Sequence, residues 1–161
     1  MNIFYLDPDP RVCARMHCDK HCVKMILETA QLLCTTHRVL DGDESADSLG
    51  LYKAAFKNHP CAVWVRESAD NYLYSLSLLI NLCEQYEFRY KKIHSTEKLI
   101  GPLSKLPLHI SLDKSFTEPP QCMPEQYKGD DVVKAYHDYY INEKLSFAKW
   151  NYTEAPEWLY V

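Results

Sequence analysis

From Pro10 onward, apolar side chains recur every three or four residues until about Leu40, the period of an α-helix with one buried face. Asp9 is suited to cap this helix. Pro10 is suited to open it, because its missing N–H would have no helical partner there anyway. The run is longer than a typical globular helix, so a kink is expected near Cys18–Asp19. Ahead of it, Met1 to Leu6 reads as a short strand or extended start, and Asp7 to Pro10 as a turn. A second helical pattern starts at Pro60 and runs to about Tyr90. Val65, Ala69, Tyr72, Leu76, Leu79, Ile80 and Cys83 share one face, with Arg66, Asp70, Ser77, Asn81 and Glu84 opposite. A third helix is expected from Asp130 or Asp131 to about Trp150. Between these, DGDESADSLG (41–50) reads as a mobile polar loop. Gly101 to Pro124 carries five prolines and reads as an extended surface crossing. The expected fold is therefore all-α or nearly so: a single domain over 1–161, with a short N-terminal extended segment and a Pro-rich crossing loop.

Composition narrows the setting. The chain has 161 residues, 47% of them hydrophobic, enough to build one core without covalent staples. Its seven cysteines are an odd number and sit mostly in predicted helices. No basic start and apolar run precede them, so free thiols in a reducing compartment are expected rather than a disulfide framework. The most apolar stretch, around Leu73 to Cys83, is too short to span a bilayer, and no membrane partner is expected. A formal charge of −4 means that any contact with a polyanion must come from a local patch.

The first helix carries the main candidate for chemistry. At about 100° of rotation per residue, His17, His21, Lys24, Glu28, Gln31 and Thr35 fall on one narrow stripe. Met25 and Leu32 flank it on one side, and Leu27 and Cys34 on the other. A solvent-facing stripe would more often be broad and rich in Lys and Glu, whereas burying mixed polar groups is costly unless they pair or react. A simple Lys24–Glu28 pair one turn apart is the structural alternative. In the functional reading Glu28 is a general acid or base, and His21 and Lys24 stabilise charge beside it.

Three further constellations stand out. His17 and His21 have the one-turn spacing that lets two imidazoles share a metal, with His59 or Cys61 as a third ligand; no HExxH or CxxC supports it, and no metal or other cofactor is expected. Asn58 and His59 precede Pro60, where free helix N–H groups with Arg66 nearby suit a phosphate. Arg89, Lys91 and Lys92 form the one dense basic run, interleaved with Tyr86, Phe88 and Tyr90, as a strand of nucleic acid would use. The stripe of Tyr136, Tyr139, Tyr140, Phe147 and Trp150 reads more readily as core than as a platform for bases.

The segments MNIFYLDPDP, CDKHCVKMILETAQLL, YKAAFKNHPCAVWVRES, EFRYKKIH, AYHDYY and APEW together resemble a family of short proteins of tailed phages and large DNA viruses. That resemblance spans nearly the whole chain and implies the cytoplasm of an infected host cell, without naming a reaction. The spacing of His21 and Glu28 also resembles that of the phage pyrimidine-dimer DNA glycosylases of the endonuclease V type, small helical proteins with a His and a catalytic Glu seven residues apart. There an N-terminal amine forms an imine with the sugar and the Glu supports the chemistry. In this chain Leu27 stands where that family has Arg, and Met1 is followed by Asn2, which hinders removal of Met1. The resemblance implies a DNA glycosylase/lyase-like enzyme, with His17, Gln31, Asn58, His59, Arg66, Arg89, Lys91 and Lys92 as substrate contacts inferred from the patterns above. The alternatives are an enzyme or sequestering module for a free nucleotide, and a metal-dependent hydrolase using His17 and His21. The sequence leaves the oligomeric state open.

Overall fold

A computed structural model describes residues 2–160. Among them there are seven α-helices and no strand, so the all-α expectation holds. The helices are α1 (Pro10–Met16), α2 (Asp19–Asp41), α3 (Asp43–Ser48), α4 (Pro60–Glu67), α5 (Ala69–Tyr90), α6 (Ile100–Leu103) and α7 (Val132–Glu143).

The long helices α2 and α5 pack on each other, α1 lies on α5, and α4 lies on α2. Leu32, Leu33, Ile26 and Tyr72, Leu79, Leu82 from the two long helices are fully buried. The expected kink between α1 and α2 is a complete break. His17 and Cys18 leave helical geometry, and the Cys18 amide donates to the Tyr140 hydroxyl at 3.0 Å. The junction is pinned by Arg89 from the end of α5. Its guanidinium donates to the carbonyls of His17 (2.8 Å) and Arg15 (3.0 Å), to Asp19 (3.1 Å) and to Gln85.

The second expected helix also breaks, at Ser68. Its backbone is extended, and its hydroxyl accepts from the Asn71 amide at 3.0 Å, which starts α5 afresh. The acidic loop expected to be mobile holds an ordered helix instead. Arg38, with a side chain only 3% exposed, reaches from α2 to Asp43 (2.9 Å) and Asp47 (2.8 Å) and also donates to the Tyr52 and Leu51 carbonyls. A charge that would be costly to bury alone is thereby satisfied, and α3 is tied down.

The N-terminal segment is extended, as expected, but pairs with no strand. Ile3, Phe4, Tyr5 and Leu6 are all buried. Side chains meet its backbone instead: the Cys13 thiol donates to the Phe4 carbonyl at 3.0 Å and His137 Nε2 to the Leu6 carbonyl at 2.7 Å. The Pro-rich crossing is likewise held by side chains, from α5 and from the N-terminal segment. The Thr117 amide donates to Asn71 Oδ1 (3.1 Å), and Asn2 Nδ2 donates to the Cys122 carbonyl (2.8 Å). Trp158 stacks on His137 with ring centroids 4.1 Å apart, which fastens the tail to α7. All seven cysteines are unpaired, and no described helix is long and apolar enough to cross a membrane.

Candidate active site

Helical spacing puts His21, Lys24, Met25 and Glu28 on one face of α2. That face closes against Asn2 and Phe4 of the N-terminal segment, His59 at the start of α4, Cys122 of the crossing, and Tyr139 and Lys144 at the far end of α7. Together they line a cavity of about 210 Å³. Carboxylate, ammonium, imidazole and thiol groups therefore converge on a space suited to one base or sugar ring.

His21 is the most tightly positioned of these groups. Its ring stacks on Phe4 (4.5 Å) and meets the edges of Tyr140 and Phe147. Its Nδ1 lies 2.8 Å from the Tyr140 hydroxyl, which already accepts from the Cys18 amide. The Tyr140 hydroxyl thus ties the imidazole to the α1–α2 junction. Burial pushes its pKa down to about 3, with His17, Lys144, Lys24 and Lys20 adding to the shift. His21 is thus neutral at pH 7, not a cation. Glu28 is mostly shielded at 14% side-chain exposure, whereas Lys24 is 61% exposed at the rim, its ammonium 3.8 Å from the carboxylate. Of the three groups of the functional reading, His21 and Glu28 are shielded and Lys24 is not. Leu27, expected as a wall, is 41% exposed; Met25 does line the cavity.

Several other candidates lie elsewhere. His17 is fully buried behind the cavity, its Nδ1 donating to the Cys13 carbonyl at 2.7 Å, so it is a core residue and no substrate contact. Gln31 is half-buried further along α2 and is not among the lining residues. Asn58 is exposed in the turn before α4, and Arg66 donates to the Lys57 carbonyl at 2.6 Å. The expected phosphate site at the start of α4 is occupied from within, because His59 Nδ1 accepts from the Cys61 amide at 3.1 Å. Arg89 is a buried clamp whose side chain is 0% exposed, so it meets no strand. Lys91 and Lys92 are exposed but line a separate shallow groove with Glu84 and Glu87, where the charges offset each other.

The proposed metal trio of His17, His21 and His59 does not assemble. Among the described residues, the His, Cys, Asp and Glu side chains close enough to share an ion are His59, Cys61 and Cys122. The lining residues that sequence reasoning missed are Asn2, Phe4, Cys122, Tyr139 and Lys144. The Tyr136–Tyr140 stripe signalled only half of this: Tyr136 and Tyr140 are buried core, and Tyr139 turns to the cavity. Met1, considered above as an amine nucleophile, lies outside the described residues. Comparison of the chain with family models, curated proteins and solved structures gives no match.

The buried imidazoles make stability depend on pH. Burial lowers His17 to about 4 and His21 to about 3 from an ordinary 6.5. Both are neutral in the fold, while the unfolded chain takes up protons below pH 6.5. Stability is therefore full above pH 6.5 and falls as the pH drops toward 4. Between pH 7 and pH 5 these two groups should remove about 3–4 kcal/mol, measured by urea unfolding. A stability unchanged between those pH values would contradict the neutral assignment.

Proposed function

We propose that this protein is a nucleic-acid-processing enzyme of glycosylase/lyase type, acting on a nucleotide turned out of a DNA duplex into the α2 cavity. The observation that carries this reading is the convergence of Glu28, His21, Lys24 and Lys144 on a base-sized space floored by Phe4 and Tyr139, whose rings lie nearly parallel 6.3 Å apart. Lys24 and Lys144 line the cavity against the one carboxylate of Glu28, a positive patch on a chain that is acidic as a whole. That patch suits the phosphates flanking one extruded nucleotide.

Lys24 or the Met1 α-amine, once deprotonated, attacks C1′; the proton that the attacking nitrogen sheds passes to Glu28, and the base departs with the glycosidic electron pair. The sugar ring opens to an imine, O4′ leaving with a proton from Glu28. The Glu28 carboxylate then takes a proton from C2′ as the 3′-phosphate departs. His21 lines the cavity as a neutral imidazole, and Tyr140 holds its ring in place.

The test is borohydride trapping on a duplex with a single abasic site. The reading expects a covalent protein–DNA species that depends on borohydride. No trapping, combined with tight binding of a free nucleotide, would replace it with a nucleotide enzyme or a sequestering module. Those two separate by whether the nucleotide is recovered unchanged.

A further inference from the structure

His59 ends an extended stretch and caps α4, Cys61 sits in the first turn of that helix, and Cys122 arrives from the Pro-rich crossing. The third position is fixed from two sides: the Cys122 carbonyl accepts from Asn2 Nδ2 at 2.8 Å, and its amide lies 3.4 Å from the Tyr136 hydroxyl. One ligand atom from each of His59, Cys61 and Cys122 lies within 4.8 Å of the others. The two sulfurs stand 3.7 Å apart. Two thiolates at zinc-ligand distance on one tetrahedral ion stand about 3.8 Å apart, whereas a disulfide needs about 2.05 Å. The pair is therefore spaced as co-ligands.

We propose that His59, Cys61 and Cys122 form a binding site for a thiophilic divalent cation, suited to zinc, with a fourth position left open. His59 and Cys122 line both the cavity that holds Glu28 and a neighbouring groove with Pro60, Pro119 and Lys128, which places the ion between the two. Two Cys and one His with a vacant position is a ligand set of catalytic rather than structural zinc. The His59 Nδ1 lone pair now accepts from the Cys61 amide. Capturing the ion through that nitrogen exchanges one cap bond for a metal bond, a small cost beside a thiolate–zinc site's affinity. An ion here would supply a Lewis acid at the edge of the cavity. This site needs no DNA for its test and stands whether or not the glycosylase reading does.

The experiment is cobalt(II) titration of the full chain, kept reduced with a phosphine, followed by absorption. The expected result is thiolate-to-cobalt charge-transfer bands with tetrahedral visible bands, saturating at about one ion per chain and displaced by zinc. Cys61→Ser and Cys122→Ser should each weaken binding more than about 100-fold, as losing a ligand does more than the 10–100-fold of losing a supporting group. His59→Ala should alter the visible bands while the charge-transfer bands remain, and Cys83→Ala should change neither. Absence of charge-transfer bands in the unaltered protein would overturn the proposal whatever the variants do. So would bands that survive in Cys61→Ser/Cys122→Ser or vanish in folded Cys83→Ala.

Discussion

Glu28→Gln should lower single-turnover cleavage of an abasic duplex by about two to four orders of magnitude, the usual contribution of a positioned general acid or base. The substitution keeps the shape of a side chain that is only 14% exposed, so the fold should survive with a nearly unchanged melting temperature. DNA affinity should not fall, because the cations of the lining, Lys24 and Lys144, are untouched. Loss of rate without loss of binding or stability would mark an interaction made in the transition state. Cleavage retained in Glu28→Gln would remove Glu28 from the mechanism.

Arg89→Met should cost about 3–5 kcal/mol of unfolding free energy, the range for breaking a buried ion pair by removing one partner. Asp19 is 9% exposed and would lose its charge partner, and the Arg15 and His17 carbonyls would lose their donors. At roughly 2–4 °C per kcal/mol for a domain of this size, the melting temperature should fall by about 6–20 °C. Adding Asp19→Asn should recover part of the loss, because the amide oxygen can still accept from the Asn151 amide without a bare charge. A loss below about 1 kcal/mol for Arg89→Met would show that the clamp is not what holds α1, α2 and α5 together.

These two residues also mark how far the sequence could be read. Glu28 was legible because helical periodicity alone places it beside His21 and Lys24, and α2 keeps that period over its whole length. Arg89 was misread because it sits in a basic run, and a run of cations on a helix end looks the same whether it meets solvent or a neighbouring helix. Its burial depends on α1 and α2 arriving more than 65 residues away in sequence. Ser68 fits the helical period of the second pattern, so its break shows only through its capping bond to Asn71. The acidic segment became a helix because Arg38 lies close enough to neutralise Asp43 and Asp47, a pairing that composition alone does not reveal. Half of the cavity wall was hidden for the same reason as Arg89. Asn2, Phe4, Cys122, Tyr139 and Lys144 come from three distant segments, and no local pattern joins them.

The central claim is that chemistry takes place in the α2 cavity, and mapping the borohydride-trapped adduct by mass spectrometry tests it most directly. The proposed mechanism predicts one DNA-modified residue per chain, on the Lys24 or the Met1 peptide, and loss of the adduct in Glu28→Gln. An adduct on Lys91 or Lys92, or one scattered over several surface lysines, would contradict it.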